Sequence, residues 1–552
     1  MIICYVDSDR SINLRWRDKE GNRVEEKVNN FEPYFFINEL EEEHTFYSVK
    51  QFINGRNVRL ELPFRYEHGH WIDLKSNALK KVIVMKPGDV RYARKMWPKT
   101  YEADVPFHYR YCVDELKDIK QYDLRKWYWD MEWITDDDEH GNAITCIVVY
   151  DNYSEEYTTY VWFPKEVNEV VQKIGVPNIY NSEKSMLEAF VNDIREQDPD
   201  MLISWFGSMF DLPKLIHRLI ANNIDPRELS PLGDVKGVHN NGATKAVDNY
   251  SQIEQPIRGR ICLDLDLAFE RQWNDAQRGT LPSMALDYVS EMVLGQKKLV
   301  SEKFPDKNEF FRRGWLEDTE TYLNYAVIDV DLIKKIDEKM ALSEGILSLQ
   351  HLLNAPFDAC FFASNMASIY FMREAWWIAP TGDKSKKRER YDGAMIYDGI
   401  PGLHTNIAAF DFSGLYPSMM LARNLSWETK SATPTDFAVN IATPRDFGEV
   451  KRENMVYYKT DELGILPRAV LELKTLRDDY KARMKKARDE ENDEEYTKWY
   501  NNQMAVKRLM ASFYGIIGFH GYGWTDIQLA SSITGSAREA IRAAAFKMEE
   551  LY

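Results

Sequence analysis

Two carboxylates two residues apart form the first pattern that could do chemistry. Asp130 and Glu132 lie in a β-rich apolar run at residues 127–133, so on a strand both side chains point to the same face. Neighbouring carboxylates in apolar surroundings repel each other unless a positive group lies between them. A divalent metal ion, a nearby arginine or solvent at an edge strand would each relieve that repulsion, and the spacing alone does not choose among them.

Further acidic residues lie on predicted helices. An apolar run at 201–206 predicts a buried strand, and after a turn Asp211 opens an amphipathic helix. Residues 321–336 have a helical pattern in which Tyr325 and Asp329, four apart, share a face. Asp211 could equally be a helix N-cap, and Tyr325 and Asp329 could form an ordinary surface pair.

Another acidic residue, Asp411, follows a short apolar run at 407–410 that predicts a buried strand. Ser413 and Gly414 then turn the chain, and a helix begins at Leu415 with a proline in its first turn, where a missing N–H costs little. A carboxylate at the end of a rigid strand can bind Mg2+, which prefers oxygen ligands. The alternative is that Asp411 only caps the helix.

Basic residues follow one face of a predicted helix at 464–488, beside an apolar stripe. They are Lys474, Arg477, Lys481, Lys485 and Arg488. On a second helix, Lys507, Ala511 and Tyr514 share a face, and Gly515 permits another group to approach the backbone closely. A basic stripe is normally a solvated surface, but its donors can also match a triphosphate.

The composition is that of a folded chain with several domains. The 552 residues are 44% hydrophobic and carry a net charge of -17, which excludes a protein that is basic throughout and leaves room for a local basic channel. The five cysteines form no CxxC pair, so neither a disulfide framework nor a zinc ribbon is predicted. The sequence shows no signal-peptide profile and no bilayer-spanning apolar run, which predicts an intracellular protein that uses no membrane.

The stretch 411–418, Asp-Phe-Ser-Gly-Leu-Tyr-Pro-Ser, resembles motif A of the family B DNA polymerases. Arg477-Asp-Asp-Tyr-Lys481 is similar to the family's triphosphate-binding Arg-x-x-x-Lys, and residues 507–515 resemble its motif B. The resemblance implies that Asp411 binds catalytic metal ions. It also implies nucleotide-binding residues, which are Leu415, Tyr416, Arg477, Lys481, Lys507 and Tyr514.

The Tyr-x-Gly-Ala element at 391–394 resembles the family's boundary between editing and synthesis domains. It implies DNA contacts at Tyr391 and Gly393, and motif B adds Gly515 to the DNA-binding residues.

The acidic patterns of the first half resemble, in the same order, the motifs of the DnaQ-like 3′–5′ exonuclease of this family. The resemblance implies that two divalent metal ions per active site, Mg2+ or Mn2+, are bound. The implied ligands of the exonuclease ions are Asp130, Glu132, Asp211 and Asp329. Tyr325 would orient the water that attacks phosphorus in an in-line displacement.

Three positions depart from the family's pattern. Phe206 stands where the second exonuclease motif commonly has Asn, Gly414 where motif A usually has Ser, and Ala511 where motif B has Asn. The change at Phe206 affects the predicted binding of single-stranded DNA. The change at Gly414 affects a local hydrogen bond, and the change at Ala511 affects the positioning of the nucleotide.

The resemblance predicts an α+β multidomain chain. Its parts are a β-rich N-terminal domain at 1–105, a ribonuclease H-like exonuclease domain at 106–340, a connecting helical segment at 341–390, the first part of the palm at 391–455, helical fingers at 456–520, and the start of the remaining palm at 521–552.

Motif C, which supplies the second metal-binding Asp, and the thumb are not found before Tyr552. The sequence therefore predicts a truncated or naturally split replicative polymerase of the tailed-bacteriophage type, acting in the cytoplasm of the infected host cell. Its predicted partners are primer-template DNA, dNTPs, the missing polymerase part or a second polypeptide, and a sliding clamp bound through the absent tail. A stand-alone 3′–5′ exonuclease and a non-catalytic DNA-binding subunit are the alternatives.

Overall fold

The computed structural model describes residues 1–6, 10–53, 56–119, 123–134, 142–163, 178–238, 248–275, 279–383, 385, 390–397, 399–442 and 454–551. The chain divides into two compact units. The first comprises Met1–Asn30, Asp118–His351 and Pro356–Phe361, and the second comprises Phe31–Lys117, Leu352–Ala355 and Phe362–Tyr552. The mixed α+β class and the β-rich N-terminal region agree with the sequence prediction.

The strands, in chain order, are β1 (Ile2–Val6), β2 (Ser11–Arg17), β3 (Arg23–Val28), β4 (Tyr34–Asn38), β5 (Phe46–Ile53), β6 (Arg56–Pro63), β7 (Arg65–Ile72), β8 (Ala78–Ile83), β9 (Lys126–Trp133), β10 (Ile144–Asp151), β11 (Glu156–Trp162), β12 (Asn178–Tyr180), β13 (Met201–Ser204), β14 (Ile261–Asp264), β15 (Lys430–Ser431), β16 (Phe437–Asn440) and β17 (Met455–Tyr458).

The longer helices are α1 (Phe107–Asp114), α2 (Glu183–Gln197), α3 (Asp211–Ala221), α4 (Leu265–Asp275), α5 (Leu286–Leu294), α6 (Thr319–Met340), α7 (Leu342–Leu353), α8 (Ala363–Glu374), α9 (Leu415–Ala422), α10 (Ile465–Asp489), α11 (Asp493–Gly518) and α12 (Ile527–Leu551). Shorter helical turns span Pro87–Asp89, Val90–Ala93, Arg94–Met96, Pro226–Leu229, Lys307–Glu309, Phe310–Gly314, Trp315–Glu317 and Phe357–Phe361. Within the described residues, no helix has the length and apolar character that a membrane crossing requires.

The central sheet of the first unit has the strand order β12-β11-β10-β9-β13-β14. Strand β9, which contains Asp130 and Glu132, lies inside the sheet, antiparallel to β10 and parallel to β13. All residues of β10, β13 and β14 are buried, as expected for strands that are covered on both faces. Helix α6 packs on β9 and β10, so its residues can meet those of the acidic strand.

Strands β1–β3 belong to the first unit, where arginine–aspartate pairs anchor them. Arg17 donates to Asp200 at 2.5 Å, Arg15 donates to Asp198 at 3.0 Å, and Arg23 pairs with both aspartates. The Asp200 side chain is completely buried, and a buried carboxylate is stable only with such donors. Residues 31–105 lie in the second unit, and the domain boundaries proposed from the sequence stay predictions.

The second unit combines small sheets with long helices. Its sheets have the orders β4-β8-β7, β5-β6 and β15-β17-β16. Helices α10 and α11 pack along each other, and Asn492 caps α11 by accepting a hydrogen bond from the Glu495 N–H at 3.0 Å. The predicted helix is present as α10. Leu473 is buried and Lys474 is exposed, whereas Arg477 of the basic stripe is half-buried like Leu476 of the apolar stripe.

The predicted buried strand at 407–410 is wrong. The structure assigns no strand to these residues, and Ile407 and Phe410 are 75% and 66% exposed. A strand needs hydrogen bonds to a neighbour, and none of the described strands pairs with this run. The following helix is as predicted: α9 begins at Leu415, directly after Gly414 with φ +63°.

Candidate active site

Three carboxylates of the first unit converge on one point. Asp130 and Glu132 come from β9, and Asp329 comes from α6, which packs on that strand. One oxygen of each carboxylate lies within 4.8 Å of the other two. Asp329 Oδ1 is buried and has no hydrogen-bond partner in the described part of the chain. A buried acceptor without a partner is costly, and a bound cation would satisfy it.

Lys298 approaches this cluster. Its Nζ donates to Asp329 Oδ2 and, at 3.3 Å, to the Tyr325 hydroxyl. Burial opposes the charge, yet the Asp329 carboxylate raises the pKa of Lys298, so the ammonium is retained. Tyr325 and Asp329 are 6% and 1% exposed, which excludes the surface pair considered from their spacing. One ammonium does not balance three carboxylates, so negative charge remains in excess.

Burial raises the pKa values of the three carboxyl groups, and their mutual repulsion adds to the shift for Asp130 and Glu132. Burial raises the pKa of Asp130 to about 7, and the Asp329 carboxylate adds to the shift. Burial also raises the pKa of Glu132 well above its ordinary value, followed by repulsion from Asp130. For Asp329, burial raises the pKa although Lys298 opposes the change. Carboxylate oxygens are the ligands that hard divalent cations prefer, so these residues fit a divalent metal ion.

Asp211 lies beside the three-carboxylate cluster, in the first turn of α3. Burial raises the pKa of Asp211 well above its ordinary value, and repulsion from the Asp130 carboxylate is the next cause. The two carboxylates are therefore close enough to affect each other's ionisation. Phe210 holds the N-cap position, and Asp211 is therefore not the cap considered from the sequence. Among the described residues, the tight group contains Asp130, Glu132 and Asp329, and Asp211 stands at its edge.

In the second unit, three tyrosines bring together the segments of the predicted synthesis site. The Tyr416 and Tyr514 rings are 4.7 Å apart, and the Tyr391 and Tyr514 hydroxyls are 2.8 Å apart. Gly515 and Lys507 are exposed on the same helix, α11. Motif A, motif B and the 391–394 element thus meet at one tyrosine cluster.

Two residues of α12 hold the backbone beside Tyr391. Arg538 donates to the carbonyl oxygens of Asp392 and Gly393, at 2.7 Å each, and the Thr534 hydroxyl donates to the Asp392 carbonyl at 2.7 Å. Arg538 is 2% exposed, so its guanidinium fixes this segment from inside the unit.

The remaining predicted residues of the synthesis site lie on α10 and around the turn before α9. Arg477 Nε donates to Gln503 at 3.3 Å and so links α10 to α11, while Lys481 is half-buried on α10. Asp411 is exposed, and Leu415 directly after the turn is half-buried. The structure therefore joins α10, which carries Arg477 and Lys481, to α11, which carries Lys507. Asp411 lies on an exposed segment.

Sequence reasoning missed Lys298, Arg538 and Thr534. Lys298 lies 31 positions before Asp329 in a segment with neither strand nor helix, so no periodicity marks it. Thr534 and Arg538 are four apart in a helical pattern, which was the one available signal, and it does not distinguish them from ordinary core contacts.

Protein-family models match two parts of the chain. The model for DNA polymerase family B matches residues 369–551, and the model for the exonuclease domain of DNA polymerase family B matches residues 128–289. The first match contains the tyrosine cluster, and the second contains Asp130, Glu132 and Asp211.

Individual proteins resemble the chain along most of its length. A DNA polymerase of Thermococcus gorgonarius is 25% identical over 580 aligned positions, which cover 99% of this chain and 68% of the relative. A DNA polymerase of Pyrococcus glycovorans is 26% identical, covering 82% of this chain and 55% of the relative. The DNA polymerase delta catalytic subunit of Arabidopsis thaliana is 27% identical, and the alignment covers 66% of this chain and 33% of the relative. The chain spans about half the length of the Pyrococcus relative.

A solved structure shares the fold. The family B DNA polymerase from the hyperthermophilic archaeon Pyrobaculum calidifontis superposes with a TM-score of 0.71, covering 100% of this chain and 71% of the other at 19% identity.

Proposed function

We propose that the chain is a family B DNA polymerase with an exonuclease domain, which the two family models and the relatives support. Its first unit would then be a metal-dependent nuclease that shortens DNA from the 3′ end. The observation that carries the proposal is the convergence of Asp130, Glu132 and Asp329 beside the half-buried Lys298. A ribonuclease H-like topology for the six-stranded sheet is part of this proposal.

In this proposal the three clustered carboxylates hold two divalent ions, Mg2+ or Mn2+, with Asp211 as a further ligand. Bound ions would supply water activation and stabilisation of the leaving 3′-oxygen. Burial raises the pKa of Tyr325, so its hydroxyl keeps its proton and can orient the attacking water. Lys298 stays protonated beside Asp329 and offers a donor to an oxygen of the scissile phosphate.

A single-stranded oligonucleotide labelled at its 5′ end tests the nuclease. With Mg2+, the wild-type chain should shorten it progressively from the 3′ end, and chelation of the metal should stop the reaction. Asp329→Asn should be inactive while remaining folded by circular dichroism. A folded wild-type chain that leaves the oligonucleotide intact with either Mg2+ or Mn2+ would contradict the proposal.

For the second unit we propose template-directed addition of dNTPs to a primer. Asp411 would bind the catalytic ions, and Leu415 and Tyr416 would contact the sugar of the incoming nucleotide. Arg477, Lys481 and Lys507 would bind its triphosphate, with Tyr514 near the nascent base pair. Tyr391, Gly393 and Gly515 would contact the DNA. The proximity of Tyr391, Tyr416 and Tyr514 supports this assignment.

The open run at 407–410 supports a further part of the proposal. Its exposed apolar side chains suit a strand that pairs with strands from other polymerase residues, in the same polypeptide or in a second one. Residues 1–552 alone should then fail to extend a primer with dNTPs and Mg2+. Template-directed extension by these residues alone would contradict it.

Two finer points stay predictions. Sliding-clamp binding and the tailed-bacteriophage type rest on the sequence resemblance, while the relatives named above are archaeal and plant proteins. The reading frame after codon 552 and the genes beside it test the origin of the chain.

A further inference from the structure

The loop between β13 and α3, residues 205–210, is held by two aspartates from the neighbouring strand and helix. Asp264, the last residue of β14, accepts hydrogen bonds from the Ser208 N–H and the Ser208 hydroxyl, both at 3.0 Å. Asp266, in the first turn of α4, accepts from the Phe206 N–H at 3.1 Å. The two aspartates are 1% and 3% exposed. Two buried carboxylates therefore fix the backbone of one short loop.

This loop has a conformation that its own sequence does not favour. Phe206 has φ +61°, a left-handed value that is unfavourable for an aromatic residue. Gly207 approaches its surroundings so closely that a Cβ would lie 2.0 Å from Ser204 Oγ and 3.5 Å from Asp211 Oδ2. Such backbone strain persists only where the surrounding contacts impose it. The hydrogen bonds to Asp264 and Asp266 are contacts of that kind.

The loop is coupled directly to Asp211. The Leu212 N–H donates to the Gly207 carbonyl at 2.8 Å, so the residue after Asp211 is bonded directly to the loop. Asp264 Oδ2 is buried and lacks a hydrogen-bond partner among the residues described. The other oxygen, Oδ1, accepts both hydrogen bonds from Ser208.

We propose that Asp264 and Asp266 are positioning residues, which hold Asp211 in register with Asp130, Glu132 and Asp329 and so set the affinity of the site for divalent cations. The inference rests on the proposed exonuclease function and names residues that none of the sequence motifs contains. Outer partners of metal ligands typically contribute 10- to 100-fold to metal affinity or activity.

A matched set of variants separates positioning from general stability. Asp264→Ala removes the acceptor for Ser208, whereas Asp264→Asn keeps an oxygen that can accept both bonds. Asp73→Ala is the control, because Asp73 is 3% exposed and accepts from the N–H groups of Lys75 and Asn77 at 2.9 and 3.0 Å. It makes the same kind of contact in the turn between β7 and β8 of the second unit, on none of the elements that carry the four carboxylates.

Two measurements are made at a temperature where every variant is folded. The Mg2+ concentration that gives half-maximal shortening of a single-stranded oligonucleotide should rise about 10- to 100-fold in Asp264→Ala, with little change in KM for the oligonucleotide. Binding of Mn2+ alone, followed by electron paramagnetic resonance, should weaken by a similar factor. Asp264→Asn and Asp73→Ala should stay near the wild type in both measurements.

Each outcome decides one point. Equal cation requirement and Mn2+ affinity in Asp264→Ala and the wild type would overturn the positioning role. An equal loss in Asp73→Ala would show that the effect is general destabilisation, which also overturns it. A wild-type chain without nuclease activity would contradict the proposed function, while the Mn2+ titrations of the same variants would still decide the positioning role.

Discussion

The carboxylates of the first unit and Asp411 of the second unit differ in how far the chain assembles their surroundings. Asp130 and Glu132 lie on a strand with hydrogen-bonded neighbours on both sides, and Asp329 reaches them from a packed helix. Asp411 follows an unpaired run and is exposed.

The difference shows what an acidic residue near an apolar run requires before it can act. Both stretches place a carboxylate in or directly after an apolar run, so the local sequence is similar. Only the run that carries Asp130 and Glu132 pairs with neighbouring strands, which fix the orientation of its side chains. A catalytic site is effective when its charged groups are held in place before the reaction. The four predictions that follow test this contrast.

The largest expected effect is on nuclease activity. Asp130→Ala should reduce the rate of oligonucleotide shortening by roughly 10²- to 10³-fold, the size of loss seen when a group at the reacting centre is removed. Asp411→Ala should leave that rate unchanged, because Asp411 belongs to the other unit. Initial rates with saturating Mg2+ measure both. A loss of nuclease activity in Asp411→Ala would break the contrast.

The second prediction compares two isoleucines for stability. Ile203 on β13 is 0% exposed and Ile407 is 75% exposed. Ile203→Ala should lower the free energy of unfolding by about 2–5 kcal/mol, whereas Ile407→Ala should change it by less than about 0.5 kcal/mol. Chemical denaturation followed by tryptophan fluorescence provides the values. A large cost at Ile407 would mean that this run is buried in solution.

The third prediction concerns the ammonium that accompanies the cluster. Lys298→Met leaves Asp329 without its ion-pair partner, and breaking a largely buried pair costs about 3 kcal/mol. The melting temperature of the metal-free chain should therefore fall. Added Mg2+ should recover more of the loss in Lys298→Met than it adds to the wild type, because the cation replaces the missing charge. An equal increase in melting temperature with Mg2+ in Lys298→Met and the wild type would argue against cation binding beside Lys298.

The smallest predicted effect is a dependence of stability on pH. The pKa of Asp130 in the folded chain is about 7, raised from 3.8 by burial, so between these values the folded state holds a proton that the unfolded state releases. This contribution to stability is complete below about pH 4 and is lost as the pH rises through 7. In metal-free buffer the melting temperature should fall between pH 5 and pH 8, and Asp130→Asn should flatten the slope. A wild-type melting temperature that rises over this interval would contradict the assignment.

The sequence predicts features that depend on residues close together in the chain, and it fails for contacts between residues far apart in the chain. The spacing of Asp130 and Glu132, the helix at Asp211 and the pairing of Tyr325 with Asp329 depend on local periodicity, and the structure has the corresponding strand and helices. Lys298 could not be found, because its contact with Asp329 joins a segment without regular structure to a helix. The run at 407–410 was predicted wrongly, since apolar residues favour burial but do not supply a neighbouring strand.

The arginine anchors of strands β1–β3 have a practical consequence. A gene cut at codon 106 would remove Arg17 and Arg23 and leave the buried Asp200 carboxylate without its ion-pair partners, a loss of about 3–5 kcal/mol. The same separation matters during synthesis, because Asp200 follows Arg17 by 183 positions. At about 5–20 residues per second, a ribosome needs roughly 10 to 40 seconds to deliver Asp200 after Arg17 has been made. For that interval strands β2 and β3 carry arginines whose counter-charges have not yet been synthesised.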